Sequence, residues 1–485
     1  MLILGGGPAG LAAAWELARG GARALVVERE EGTGGLCRTH ERQGWRFDMG
    51  GHRFISADRD LLDRVLRLCG DDLLLAERRS EVALLGRTFR YPLELPDLLR
   101  NLPPGLAARA LLSWLRARWR ARDPARSDPE DFEGWAVQRF GRVLYDLFLG
   151  PYTEKVWGVP GRELSSEWAP QRISLLDLGQ VLRGLVRPGG ERTARTCARQ
   201  FLYPRLGMGQ LFERVRAAAE AGGAEVWTGA VPEAFELEGG RIHAVRVRTR
   251  EGPRRVEPGH VLSTIPLPRL LELLGGPGPA PAALGFRPVR FLNLGLARES
   301  ALPVTWRYVG EGGLRAGRLQ EPRRRSPWMA PPGTTSLMVE VPHAPGDEID
   351  RASDEELLVR LTPELERLGV PLGSDVRLVF SVRAPEAYPV HLRGTAPART
   401  AALARVDALT NLRTLGRQGA FRFVFSDAAM RMGLLAAEGL LAGRLPGSAE
   451  LARVQSAREL VEVGSLVDGR LSPPPPSSAA SATRP

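Results

Sequence analysis

Of the 67 basic side chains in this sequence only one, Lys155, is a lysine. Arginine carries the rest amid abundant alanine, glycine and proline, as if arginine replaces lysine wherever a plain positive charge suffices. Lys155 then stands out, because a compact ammonium with a movable pKa is what arginine cannot supply. It is either a catalytic amine or an ion-pair partner of Glu154 or Glu163. Cysteine is scarce as well. Cys37, Cys69 and Cys197 lie too far apart for a disulfide framework or a metal-ligand spacing, so no metal is expected and a reducing cytoplasm is. Aromatics make up only 6% and the arginines follow no recognisable motif, so the net charge of +11 suits an anionic small substrate or a membrane surface rather than nucleic acid. Apolar runs of about eighteen or more are missing, which argues against a membrane-spanning helix. The chain opens directly into a strand and a glycine turn, where no signal or transit peptide is expected.

What is present begins at once. Residues 2–4 form an apolar strand, a glycine turn follows, a helix is expected near 9–20, and a second strand runs from Ala24 to Glu28. This βαβ opening predicts an α/β fold with a parallel sheet. Gly5-Gly6-Gly7-Pro8-Ala9-Gly10 satisfies G-x-G-x-x-G between strand and helix. Gly5 permits the tight turn, Gly7 lets the backbone approach a pyrophosphate, and Gly10 allows close helix–strand packing. The helix N-terminus, with Pro8 and Ala9, then faces phosphate charge. Glu28 ends the next strand, where a carboxylate accepts ribose hydroxyls and disfavours a 2′-phosphate. Arg29 beside it and Val231 further on complete the expected nucleotide contacts.

A second glycine turn, Gly32-Thr33-Gly34-Gly35-Leu36-Cys37-Arg38-Thr39, follows just past Glu28, and Arg38 can meet a pyrophosphate bidentately. Next comes Phe47-Asp48-Met49-Gly50-Gly51-His52-Arg53-Phe54, whose paired glycines let the chain lie flat against a large planar group. Two such turns exceed what a nicotinamide site needs and point to FAD. The run resembles the flavin amine oxidase and protoporphyrinogen oxidase superfamily, with Leu36 where that family's second arginine is expected and Arg38 as its substitute. Tyr203-Pro204-Arg205-Leu206-Gly207-Met208-Gly209, Val261–Leu267 and Asn411–Ala437 extend the likeness. In the last of these, Gly416, Arg417, Asp427, Ala428, Ala429 and Met430 match the family's C-terminal flavin motif, whose helix points its positive end at the flavin. No cysteine lies there, so FAD is expected to be non-covalent.

The resemblance implies a Rossmann-like FAD-binding domain assembled from residues 1–75, 196–270 and 405–450. An inserted α+β substrate domain takes up 76–195 and 271–404, with 76–195 helical and rich in Arg and Trp. A C-terminal helical segment is expected at 451–471 and a disordered tail at 472–485. Other stretches, Gly50–Ser56, Tyr152–Gly158, Ala387-Tyr388-Pro389-Val390 and Gly416–Gly419, resemble UDP-galactopyranose mutases. That likeness implies His52 beside the flavin, with Trp157, Arg172, Tyr203 and Tyr388 around a substrate. Three functions stay open. An oxidoreductase transferring hydride from an organic substrate to flavin N5, with His52 or Lys155 relaying protons, is preferred to a mutase with no net redox change, and both to a catalytically idle flavin-binding protein. Trp157 is a pocket wall or a stacking platform, and Arg172 an anion ligand or a structural bridge. Residues 106–122, with leucines and tryptophans interleaved with arginines, either pack an apolar face inward or lie on an anionic membrane.

Overall fold

Leu2–Leu4, Leu25–Val27, Glu225–Trp227, Val261–Ser263 and Leu412–Thr414 are drawn from three distant stretches of chain yet lie side by side in one sheet. The computed structural model describes residues 1–91, 97, 100–121, 129–167, 169, 199–276 and 284–454. Arg172, Cys197 and the expected tail lie outside the described residues, as does all but the start of the expected C-terminal helical segment. Every neighbouring pair in the five-stranded sheet is parallel, in the order 412–414, 261–263, 2–4, 25–27, 225–227. Short, doubly buried runs such as Leu2-Ile3-Leu4 suit a sheet covered on both faces. Helix α1 (Pro8–Arg19) follows the first strand and carries six alanines and glycines on faces that must come close to neighbours. The fold is Rossmann-like α/β.

A second, seven-stranded sheet is ordered 376–389, 286–296, 335–342, 318–320, 306–309, 80–84, 87–90. Its neighbours run antiparallel except Trp306–Val309 with Ser80–Leu84, which are parallel. The expectation of helix throughout 76–195 needs correction here: Ser80–Leu84 and Arg87–Arg90 are strands. Their β-branched and aromatic positions Val82 and Phe89 fill the interior, a period-two pattern hidden by the surrounding arginines. Helix α2 (Arg59–Cys69), capped by Asp58 accepting from the Leu61 N–H at 3.1 Å, shares a core with Phe54 and Ile55. Helix α3 (Pro104–Arg120) turns Ala110 and Trp114 inward and leaves Leu111, Leu112, Leu115 and Trp119 outside. Helix α4 (Phe132–Phe140) and α5 (Gly150–Trp157) complete the helical wall of the insert. Helix α6 (Met208–Ala221) and the long α7 (Ser426–Leu441) flank α1. Among the described residues no helix is long and apolar enough to cross a membrane.

Candidate functional site

The carboxyl ends of four parallel strands open into one cavity of about 1040 Å³, which continues to the face of the seven-stranded sheet. Ordinary ligand pockets occupy about 300–1,000 Å³, so there is room for a large cofactor and a substrate together. Gly5, Gly7, Pro8 and Ala9 line it where α1 begins. Gly10 does not line it but shapes it: a Cβ there would lie 2.0 Å from the Gly5 carbonyl oxygen. Gly7 caps α1 without a side chain, so the helix N–H groups stay available to an anion. The second turn is tied to the first by the Gly34 N–H, which donates to the Gly6 carbonyl at 2.7 Å. Gly35 and Arg38 line the same stretch, and the buried Nε of Arg38 has no protein acceptor.

Glu28 does double service. Its Oε2 accepts from the Gly6 N–H at 2.7 Å and its Oε1 from the Glu30 N–H at 2.9 Å, while the carboxylate still borders the cavity. The acid thus locks the phosphate turn and retains lone pairs for ribose hydroxyls. Val231 and Pro232 wall this end, and Arg29 borders it with its guanidinium 2.9 Å from Glu386. At the far end Met49, Gly50, Gly51, His52, Gly416, Arg417, Gln418, Ser426 and Ala429 surround a flat space. A Cβ on Gly51 would sit 2.8 Å from Arg318 Nη1, so a side chain there would displace that guanidinium. The N-terminus of α7 opens here with no side-chain cap. Three of the expected contacts on α7 need correcting. Ala428 packs into the core beside α1, and Met430 into the core that holds Tyr203 and Phe212; Asp427 is buried without bordering the cavity. Of the first residues of α7 only Ser426 and Ala429 line the opening. A helix start without a side-chain cap, the buried Arg38 Nε without a protein acceptor, the cavity-lining carboxylate of Glu28 and the glycine pair Gly50–Gly51 fit FAD.

Charge at the flat end is unevenly shared. Burial, followed by the positive charges of Arg417, Arg318 and Arg325, pushes His52 down to about 3, so its imidazole is neutral near pH 7. Its buried Nδ1 has no protein partner. Arg318 borders the cavity 2.6 Å from Glu340, which also accepts from Gln320. Burial opposes that guanidinium's charge, but Glu340, Tyr388 and Tyr308 outweigh it and hold the group above its ordinary value. Cys37 is pushed up to about 12 by burial and by Asp48, which leaves an inert thiol beside the cavity.

The substrate side is apolar. Val82, Leu84, Phe89, Leu102, Leu147, Phe148 and Tyr152 line an arm leading away from the flat end. Trp157 and Tyr388, 5.7 Å apart, and Phe423, 6.3 Å from Tyr388, form its aromatic wall. Tyr203 is corrected from a substrate contact to a core residue. It is fully buried, and its hydroxyl donates to Asp48 Oδ2 at 2.5 Å. Lys155 is likewise corrected: it does not border the cavity. Its ammonium donates to the carbonyls of Val309, Glu311 and Ala316 at 2.8, 2.6 and 3.2 Å, holding one loop of the large sheet. Arg172 lies outside the described residues. Arg318, Tyr308 and Arg53, which line the cavity, were not foreseen. The alternation Arg318-Leu319-Gln320, with both polar residues on one face of a strand and Leu319 buried, was the available signal.

Residues 8–429 match the family model of flavin-containing amine oxidoreductases. Coproporphyrinogen III oxidase of Propionibacterium freudenreichii subsp. freudenreichii is 28% identical over 173 residues, which cover 34% of this chain and 33% of that one. The chain thus spans about a third of that curated relative. A reduced UDP-galactopyranose mutase superposes with a TM-score of 0.78 at 22% identity, over 93% of this chain and 97% of the other. A protein assigned as a protoporphyrinogen oxidase, from Exiguobacterium sp. 255-15, gives 0.69 at 20% identity, over 91% and 98%. At such identities the two superpositions establish a shared fold.

Proposed function

The chain belongs to the flavin-containing amine oxidoreductases, and from that premise we propose that it oxidises an apolar organic substrate with non-covalently bound FAD. The apolar arm of the cavity carries the proposal. A pocket walled by Val82, Leu84, Phe89, Leu102 and Phe148 stabilises a hydrocarbon-rich body and leaves the hydroxyls of a sugar unpaired. Gly50, Gly51, His52, Gly416 and Arg417 would hold the ring of FAD, which when bound would supply a hydride acceptor for a substrate C–H, with oxygen or another acceptor as the final oxidant. The chain's own residues position and shield. Gly50 and Gly51 leave room for a planar ring, and the Arg318–Glu340 pair backs that surface. Neutral His52 offers Nδ1 as a hydrogen-bonding atom and holds no proton in excess near pH 7. Trp157, Tyr388 and Phe423 exclude water from the reacting carbon. The inert Cys37 thiol supports a cofactor held without a covalent thioether.

A second reading has its own support. Arg53, Arg269, Arg318 and Arg383 all border the cavity and suit a diphosphate, as a sugar-nucleotide mutase requires. One experiment separates the two. The yellow protein is mixed anaerobically with porphyrinogens, amines, polyenes and UDP-sugars. Flavin bleaching by an apolar substrate without added reductant is the expected result. Sugar isomerisation that appears only after dithionite reduction, with no acceptor consumed, would replace the oxidase reading by the mutase. FAD that no candidate reduces or uses would mark a catalytically idle flavoprotein.

A further inference from the structure

Helix α3 has three faces, each with a different character. At about 3.6 residues per turn, Leu106, Ala110, Ser113, Trp114 and Ala117 fall on one side. Ala110 and Trp114 are buried there, and Ser113 Oγ accepts from the Val143 N–H at 3.2 Å. The opposite side carries Leu111, Leu112, Leu115 and Trp119, exposed by 44, 54, 49 and 74%. These are half of the eight large apolar side chains that are exposed among the described residues. Between the two faces runs a third stripe. Arg109, Arg116 and Arg120 point into a groove beside α4, and none of them has a hydrogen bond or salt bridge among the described residues. Arg118 borders the apolar face on its other edge, stacked 6.0 Å over Trp114.

We propose that this face of α3 docks on an anionic lipid bilayer, with Trp119 and the leucines among the acyl chains and the arginine groove holding headgroup phosphates. An apolar stripe left in water is costly, and about 25 cal/mol is recovered per Å² removed from it. Flanking guanidiniums on both edges match the depth at which phosphates lie when a helix rests in the plane of the interface. A soluble acidic protein would satisfy the arginines, but Leu111, Leu112, Leu115 and Trp119 between them need an apolar phase, and an anionic bilayer supplies both. The helix is also well placed. Leu106 and Ala107, at its start, pack on Val82, Leu84, Phe89 and Phe148, which line the apolar arm of the cavity. Docking stands whichever substrate that arm takes, so binding and not turnover tests it.

Full-length, flavin-loaded protein is floated with vesicles of phosphatidylcholine, with or without phosphatidylglycerol. Phosphatidylglycerol vesicles should carry the protein up. The triple variant Arg109→Gln, Arg116→Gln, Arg120→Gln should bind them about a hundredfold more weakly, at roughly fivefold per arginine. Trp119→Ser with Leu112→Ser should lower partitioning to both vesicle types by at least about tenfold. Flavin absorbance retained by each variant establishes that it is folded. Failure of the wild type to float with anionic vesicles overturns the proposal, as does floating that neither set of changes weakens. A wild-type dimer that Trp119→Ser turns into a monomer, without vesicle binding, would assign the face to a second copy of this chain and overturn the lipid reading equally.

Discussion

Replace Lys155 by methionine and three backbone carbonyls lose a donor at one stroke, although that of Glu311 keeps the Leu314 N–H at 3.3 Å. The ammonium reaches Val309, Glu311 and Ala316 at 2.8, 2.6 and 3.2 Å, and two of those residues, Val309 and Ala316, are fully buried. A hydrogen bond from a charged donor contributes about 1.5–3 kcal/mol, and a buried acceptor left unpaired costs about 1–3 kcal/mol. Against this, methionine removes an ammonium whose burial is itself unfavourable; burial pushes Lys155 down to about 8, with Glu364 and Glu311 opposing. The balance is a loss of about 3 kcal/mol, or roughly 150-fold in the folded-to-unfolded ratio. At about 2 °C per kcal/mol for a unit of this size, the melting temperature should fall by about 6 °C. Thermal unfolding is followed by circular dichroism and by release of flavin fluorescence. Turnover per bound flavin is measured well below the melting point. Lys155→Arg should recover little, because a planar guanidinium cannot direct its donors to three converging carbonyls. The reasoning is refuted if Lys155→Met keeps the wild-type melting temperature but loses turnover, since the amine would then act on substrate.

Other consequences are as direct. Gly10→Ala drives a methyl group to 2.0 Å from the Gly5 carbonyl oxygen, so the phosphate turn must open; gel filtration should yield nearly colourless protein, and tight flavin binding by this variant would discredit the geometry of the turn. Because His52 is held at about 3, the rate profile near neutral pH should contain no limb due to it. An inflection near pH 6.5 that disappears in His52→Asn would contradict this. His391 is also held at about 3, by burial and then by Arg399, Arg422 and Arg417. As pH falls below 6.5 the unfolded chain takes up a proton there and the folded one does not, so stability drops, by roughly 2 kcal/mol at pH 5. Urea titrations of wild type and His391→Leu at the two pH values should differ by that amount. Tyr203→Phe removes one of three donors to buried Asp48 and should cost about 1–2 kcal/mol of stability while KM stays unchanged.

The nucleotide half of the molecule was legible because its determinants are local. Gly5, Gly10 and Glu28 sit within one strand–helix–strand unit, and each glycine answers to a clash or a turn inside that unit. The turns at Gly50 and Gly416, which line the cavity, are local in the same way. Long-range partners were not legible. Nothing near Lys155 in sequence announces the carbonyls of Val309 and Ala316, and nothing near Tyr203 announces Asp48. Strands 80–84 and 87–90 were hidden because 80–84 pairs with 87–90 and with the distant Trp306–Val309, while Arg87 and Arg90 occupy the outer face of 87–90. Arg318 was overlooked although its strand alternates cleanly, because the face it points from becomes a cavity wall only when the two sheets meet. On α7 the residue types were recognisable, but which of Ser426, Ala428, Ala429 and Met430 look outward depended on helical phase.

The order in which the parallel sheet is filled has a consequence for the newborn chain. Its phosphate turn is synthesised within the first strand–helix unit, yet the strand Leu412–Thr414, the turn at Gly416 and the helix Ser426–Leu441 that close the flavin end come last. A chain interrupted before them carries the phosphate turn and the Met49–His52 turn but lacks Arg417 and the N-terminus of α7, and so leaves the cavity open at that end. Ligand stabilises only the form it binds, so cofactor capture separates finished chains from stalled ones. Flavin supply should then govern how much of this protein survives proteolysis as well as how fast it turns over, and riboflavin limitation would deplete it before any substrate ran short.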